Sequence, residues 1–170
     1  FEDDVLNRLE EEVDVTLFNK EDINENPEFT AALQEAHGII GYGLEINDSL
    51  LDKAPNAEIF SNVSVGYNNL NIDALTKRNI MATNTPGVLD ETVADTMFGL
   101  LIATARRMPE LDHYVKSHQW TGDLTSDFYG TDVHHKTIGI IGLGRIGEAI
   151  ANRAHHGFHM NVLYHNRSRN

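Results

Sequence analysis

The sequence predicts an α/β protein built on parallel sheets, and three observations carry that expectation. Short apolar strands alternate with helical patterns along most of the chain, the alternation that a parallel sheet with outer helices requires. Near the end, an apolar strand runs directly into Gly142-Leu143-Gly144-Arg145-Ile146-Gly147 and then into a helix, the order in which a glycine-rich turn meets a phosphate-binding helix start. Composition supplies the third: 41% of the 170 residues are hydrophobic, 23% are charged and only 4 are proline, which is enough apolar material for a packed core and argues against disorder.

The elements follow in order. Val5, Leu6, Leu9 and Val13 lie at helical spacing, and 13–18 then alternates apolar with polar in the manner of a short strand. A parallel domain ordinarily begins on a strand, so this one is expected to lack its first. Next come a helix over 29–36, a strand over 37–41, a short helix over 48–53 closed by Pro55, a strand over 59–63, a helix over 72–78 and a strand over 80–83. The segment 91–107 is apolar almost all round, through Val93, Ala94, Met97, Phe98, Leu100, Leu101, Ile102 and Ala103, which predicts a buried helix. Asp90 is its expected N-cap, Pro109 its expected terminator, with Met108 biased away from helical angles. A second helix is expected over 110–118. The polar, glycine-containing stretch 120–135 has no sustained period and reads as a loop or arm. Composition therefore places a first domain at 1–115, a linker or arm at 116–135 and the start of a second, truncated domain at 136–170.

That second domain carries the chemistry. In a G-x-G-x-x-G turn, Gly142 permits the tight bend, Gly144 leaves no side chain in the way of a pyrophosphate, and Gly147 lets the helix pack on the strand. The helix start then offers free N–H groups and a partial positive charge to phosphates. Ile146, Ala149, Ile150 and Ala154 share one face of the helix, Gly157 is placed to end it, and a second strand follows at 162–164. In that context the turn reads as a dinucleotide site rather than a structural bend. Where a ribose 2′-OH is recognised, an acidic residue should stand about 20 residues beyond the turn. The tip here reads His165-Asn166-Arg167-Ser168-Arg169 instead, which offers guanidinium groups and a hydroxyl to a 2′-phosphate. NADP(H) is thus preferred, with NAD(H) possible; the plainer alternative is that the arginines end a strand at the surface.

Charge narrows the partners. Residues 1–60 hold 16 acidic and 3 basic side chains, whereas 61–170 hold 10 of each, for a net charge of −13. Nucleic acid and anionic membranes need clustered Lys and Arg, so neither is an expected partner. The early acidity reads as solvated helix faces, such as Glu10, Glu11 and Glu12, before it reads as an acidic docking surface. With no cysteine, disulfides, thiolate metal sites and cysteine nucleophiles are excluded, in keeping with a reducing cytoplasm. No apolar run approaches the roughly 18 residues of a membrane span, and the acidic N-terminus is unlike a signal peptide. A cytoplasmic protein is expected. None of the 9 histidines stands in a metal-binding or catalytic pattern, so each reads as structural or surface, and no metal is implied.

Three stretches resemble the D-isomer-specific 2-hydroxyacid dehydrogenase family, in its glyoxylate/hydroxypyruvate (2-ketogluconate) reductase branch: SNVSVGYNNLNIDAL at 61–75, NTPGVLDETVADTMFGLLIATARR at 84–107, and GTDVHHKTIGIIGLGRIG at 130–147. The resemblance covers the N-terminal half of such a protein. It implies a flavodoxin-like parallel-sheet substrate domain followed by the first βαβ of a Rossmann dinucleotide-binding domain, and NADP-dependent reduction of glyoxylate, hydroxypyruvate or 2-ketogluconate to the D-2-hydroxy acid. Ser64, Val65 and Gly66 look like the loop that binds the substrate carboxylate through the N–H groups of Val65 and Gly66, and Tyr42-Gly43-Leu44 like a loop lining the substrate pocket. Gly142, Gly144, Arg145, Ile146, Gly147, Asn166, Arg167, Ser168 and Arg169 fall at cofactor-facing positions. Thr92 corresponds to a residue near the nicotinamide, and reads equally well as a first-turn helix residue. Trp120 resembles a tryptophan that reaches across a homodimer into the neighbouring site, and reads as readily as an interface or core anchor.

The family's catalytic Arg and its Glu–His pair would follow Asn170, so no catalytic residue is assigned here, and a chain of these 170 residues alone is expected to be inactive. It is also expected to be poorly stable beyond Gly142 without a covering partner. Two other readings stay open: a non-catalytic nucleotide- or partner-binding relative, and an NAD-dependent phosphoglycerate- or formate-type dehydrogenase within the family. A methyltransferase-type glycine loop is disfavoured by the stretch after Asn84.

Overall fold

Helix starts in the first part of the chain are set by asparagine. The computed structural model describes residues 2–19, 23, 26–123 and 125–169. After α1 (Asp3–Glu10) come α2 (Pro27–Glu35), α3 (Asp48–Leu51) and α4 (Ile72–Lys77). The side chains of Asn26, Asn47 and Asn71 each accept a backbone N–H from the turn that follows, from Glu28 at 2.9 Å, Leu50 at 3.1 Å and Ala74 at 3.1 Å. Each thereby satisfies one donor that a helix start leaves without an intrahelical partner.

Between these helices run β1 (Gly38–Gly41), β2 (Ile59–Asn62) and β3 (Met81–Thr83). They form a parallel sheet in the order β1-β2-β3, with Gly38 opposite Ile59 and Ile59 opposite Met81. Leu33 of α2, Leu51 of α3, Phe60 of β2 and Ala74 and Leu75 of α4 are buried together with Ile46 and Ala54. Apolar residues on helix and strand thus share one core, as the sequence pattern requires. The expected strand at 13–18 does not form. Phe18 instead sets its ring edge-to-face on Phe29 of α2, with centroids 5.2 Å apart, and no strand pairs with the segment among the described residues.

The remaining elements are α5 (Asp90–Ala105), α6 (Met108–Lys116), a 3₁₀ turn at Ser126–Phe128, β4 (Thr137–Ile141), α7 (Arg145–Asn152), a π turn at Arg153–Gly157 and β5 (Asn161–His165). β4 and β5 are parallel, with Thr137 opposite Asn161 and Ile141 opposite His165. Their core gathers Phe98, Val133, Ala154 and Met160, flanked by Ile138, Ile150 and Phe158. Packing divides the chain into Phe1–Pro86 and Gly87–Asn170, earlier than the 115–135 stretch where composition put the change. The reason is α5, which packs with α7: Arg153 pairs with Asp95 at 2.5 Å and with the Glu91 carboxylate at 2.8 Å.

Several local expectations are corrected. α5 buries only Ala94 and Phe98, while Met97 and Leu100 remain 50% and 58% exposed; one face of this largely apolar helix is only partly covered among the described residues. Asp90 is the first residue of α5 rather than its cap, because its carboxylate turns to Arg145 at 3.2 Å, and Leu89 takes the cap position. Pro109 lies in the first turn of α6, where its missing N–H costs nothing, and Met108 is helical; it is Arg107, left-handed at φ 56°, that separates the two helices. After α7 the left-handed position belongs to His159, at φ 51°, and not to Gly157.

The first unit is a flavodoxin-like parallel sheet with flanking helices, and the second contains the first βαβ of a Rossmann-type nucleotide-binding fold.

Candidate functional site

The loop leaving β2 is polarised. Its three carbonyls all accept inward hydrogen bonds: Ser64 from the N–H of Thr85 at 3.0 Å, Val65 from the Asn84 amide at 2.8 Å, and Gly66 from the Asn62 amide at 2.8 Å and from the Ser64 hydroxyl at 2.5 Å. The N–H groups of Val65 and Gly66 donate to nothing among the described residues. A loop whose acceptors are all engaged and whose adjacent donors are unpaired favours an anion over a cation or a neutral acceptor. A Cβ built on Gly66 meets nothing within 4 Å, so space exists where a ligand would approach. The Ser64 hydroxyl donates to Gly66 and accepts from Asn62 at 2.8 Å, which braces the loop.

This bracing extends to the second predicted loop. Asn69 donates to the Leu44 carbonyl at 2.7 Å and exchanges amide hydrogen bonds with Asn62 at 3.2 and 3.3 Å. Leu44 and Ser64-Val65-Gly66 therefore belong to one polar network, although they stand about 20 residues apart in the chain. Asn62 is 5% exposed, the one buried polar residue among the described residues. Burying an amide is unfavourable unless its hydrogen bonds are made, and here they are. Sequence reasoning missed Asn62, Asn69 and Asn84; the crowding of asparagine in 62–71 and at 84 was the available signal.

In the second unit the three glycines of the fingerprint have separate steric reasons. Gly142 adopts φ +94°, a region that L side chains rarely enter. A Cβ on Gly147 would strike the carbonyl of Gly142, so α7 can sit this close to the turn only with glycine there. A Cβ on Gly144, by contrast, would project into open space. Gly144 is the N-cap of α7 with no side-chain cap, which leaves the first N–H groups of the helix, those of Arg145, Ile146 and Gly147, available to an anion.

The tip of β5 is tied to this turn. Asn166 accepts the Leu143 N–H on its side-chain oxygen at 2.7 Å and donates back to the Leu143 carbonyl at 3.4 Å, while the Gly142 N–H donates to the His165 carbonyl at 2.9 Å. The structure thus brings Asn166 to the glycine turn, where it holds backbone. Arg167, Ser168 and Arg169 follow it as exposed residues. Arg145 points its guanidinium to Asp90, and Thr92 lies two residues beyond Asp90 in the first turn of α5. Trp120 is exposed beyond the end of α6.

Residues 1–159 match the sequence model of the D-isomer specific 2-hydroxyacid dehydrogenase catalytic domain. Glyoxylate/hydroxypyruvate reductase B of Yersinia enterocolitica is 48% identical over 164 residues, covering 96% of this chain and 50% of the relative. Its counterpart in Yersinia pestis is 49% identical over 164 residues with the same coverage. The chain spans about half the length of the curated relatives it matches. Among solved structures, the NADPH-dependent glyoxylate/hydroxypyruvate reductase of Sinorhizobium meliloti, in complex with NADP and malonate, superposes with a TM-score of 0.81 at 34% identity, covering 98% of this chain and 50% of that one. D-lactate dehydrogenase of Aquifex aeolicus, with NAD and lactic acid, gives a TM-score of 0.76 at 25% identity, covering 83% and 42%. Parallel strands, a glycine turn built for close backbone approach and a sequence match reaching from the first residue into the second unit converge on one assignment: the chain belongs to the D-isomer specific 2-hydroxyacid dehydrogenase family and corresponds to the N-terminal half of its glyoxylate/hydroxypyruvate reductase B relatives.

Proposed function

We propose that the whole protein to which this chain belongs is a cytoplasmic reductase of small 2-oxo acids, glyoxylate and hydroxypyruvate first and 2-ketogluconate as a further candidate, forming the D-2-hydroxy acid with NADPH. The observation that carries this reading is the polarity of 64–66, where every carbonyl is engaged inward and the N–H groups of Val65 and Gly66 remain to receive a carboxylate. Backbone donors suit the task because they hold an anion in fixed geometry without a mobile lysine. Leu44, tied to the same network through Asn69, lines the space for the rest of the acid.

The residues of the second unit fit a nicotinamide dinucleotide. Gly142, Gly144 and Gly147 shape the turn, and the uncapped start of α7, at Arg145 and Ile146, receives the pyrophosphate. Asn166 fixes the turn, and Arg167, Ser168 and Arg169 recognise a 2′-phosphate by charge and hydrogen bonding. Thr92 borders the nicotinamide end. When bound, the reduced nicotinamide supplies the hydride that such a reduction needs. The preference for NADP(H) over NAD(H) is supported by the absence of a carboxylate at the β5 tip and by the NADP-bound Sinorhizobium relative. A homodimer is supported by the exposed apolar face of α5, through Met97 and Leu100, and by the exposed ring of Trp120.

The test is an intact mass of the natural protein, followed on the same sample by NADPH and NADH oxidation with glyoxylate and with hydroxypyruvate. A chain about twice as long that consumes NADPH in preference to NADH is the expected result. A product that binds a dinucleotide yet turns over neither acid overturns the reductase reading and leaves a nucleotide-binding relative.

A further inference from the structure

We propose that Asn69 is a positioning residue that sets the spacing between loop 42–44 and loop 64–66, and thereby tunes which 2-oxo acid the pocket accepts. The inference rests on the reductase reading above and adds to it a residue outside both predicted loops.

Asn69 is fixed first through its backbone. Its carbonyl accepts the Ile46 N–H at 2.8 Å, and the Asn71 N–H donates to the Ile46 carbonyl at 2.9 Å, around the parallel bridge between Ile46 and Leu70. A side chain on so constrained a backbone has few places to go. Its amide nitrogen donates to the Leu44 carbonyl at 2.7 Å and to the Asn62 side-chain oxygen at 3.2 Å, and its oxygen accepts from the Asn62 amide at 3.3 Å. Asn62, at the end of β2, passes the constraint on to the Ser64 hydroxyl and the Gly66 carbonyl, both at 2.8 Å. One reciprocal amide pair therefore joins the two loops, and Asn69 makes the bond that reaches Leu44.

The chemistry of the substrate makes that spacing matter. In a 2-oxo acid the carboxylate and the substituent leave the same carbonyl carbon in different directions, so the distance between them is set by covalent bonds. Glyoxylate carries hydrogen in the substituent position and hydroxypyruvate a hydroxymethyl group. If 64–66 holds the carboxylate, the distance from there to Leu44 determines the room left for the substituent, and binding loops perform best when their supporting hydrogen bonds lock them. Moving loop 42–44 should therefore affect hydroxypyruvate more than glyoxylate.

The experiment uses the natural full-length protein, its Asn69→Ala and Asn69→Asp variants, and steady-state kinetics with glyoxylate and hydroxypyruvate, together with NADPH affinity and thermal midpoint. Asn69→Ala is expected to raise KM about tenfold for hydroxypyruvate and less for glyoxylate, changing the ratio of their kcat/KM at least about threefold, with NADPH affinity within about twofold of wild type. Asn69→Asp keeps the size and loses the donor. Its KM for hydroxypyruvate should fall back toward wild type as pH drops and the protonated carboxyl again donates to Leu44, a recovery that loss of folding alone would not give. Unchanged KM ratios in both variants, with only the thermal midpoint lowered, would overturn the proposal. So would an Asn69→Asp variant whose KM shows no pH dependence beyond that of wild type, which decides the matter even if Asn69→Ala fails to fold. Wild-type protein that reduces neither acid overturns the reductase reading itself and this inference with it; that failure is read from the parent, the other from the variants.

Discussion

Gly147 shows at single-residue scale how a local steric demand shapes the glycine turn. Adding one methyl group there drives it into the Gly142 carbonyl, so Gly147→Ala should destabilise the second unit by about 1–3 kcal/mol and weaken NADPH and NADH alike. Urea unfolding and cofactor titration check both effects. Asn166 makes a different prediction. Its oxygen holds the Leu143 N–H at 2.7 Å while its nitrogen makes only the longer 3.4 Å contact, so Asn166→Asp keeps the shorter bond and gains an oxygen for a ribose 2′-OH. The ratio of NADH to NADPH affinity should rise in that variant, and an unchanged ratio would place the tip of β5 outside cofactor selection. The fingerprint was legible in the sequence because its requirements act within a few residues: a positive φ at Gly142 and a close approach at Gly147 need no knowledge of the fold. The asparagine network was not legible, because Asn69 and Leu44 are 25 residues apart and no periodicity links donor to acceptor.

Among elements, the junction between α5 and α6 is governed by Arg107. It holds the Glu110 carboxylate with two hydrogen bonds, at 2.8 and 2.6 Å, and also reaches the carbonyls of Asp127 and Tyr129 around the 3₁₀ turn. Hydrogen bonding to Arg107 lowers the pKa of Glu110 below its ordinary value. A carboxyl lowered in this way adds stability above its unfolded pKa and loses that contribution as pH falls through the folded value. Wild type and Glu110→Gln should therefore differ in thermal midpoint near neutrality and converge in acid, as a melting series across pH will show. Arg107→Ala should also release the turn, seen as faster amide exchange in the segment after 125. Neither effect could be read from the sequence, in which Pro109 dominated the expectation; the left-handed backbone of Arg107 lets the chain turn before the proline, which then sits where a helix tolerates it. The expected burial of α5 failed for a related reason: apolar composition reports that a face will be covered, without saying by which chain.

At the scale of the whole molecule, uncovered apolar surface is the main unresolved tension. Besides Met97 and Leu100, Ile141 at the end of β4 is 91% exposed, a poor arrangement for a residue of its type in water. If α5 pairs with a second copy, Leu100→Lys should shift the natural protein from dimer to monomer in light scattering while leaving its circular dichroism intact. The parallel architecture has one more consequence, in the order of folding. Paired strands lie about 20 to 25 residues apart along the chain, and among the described residues the strands form one three-stranded and one two-stranded sheet. Loop 64–66 can therefore be completed as soon as Thr85 has left the ribosome, before the glycine turn has been synthesised, so that the first unit matures ahead of the second.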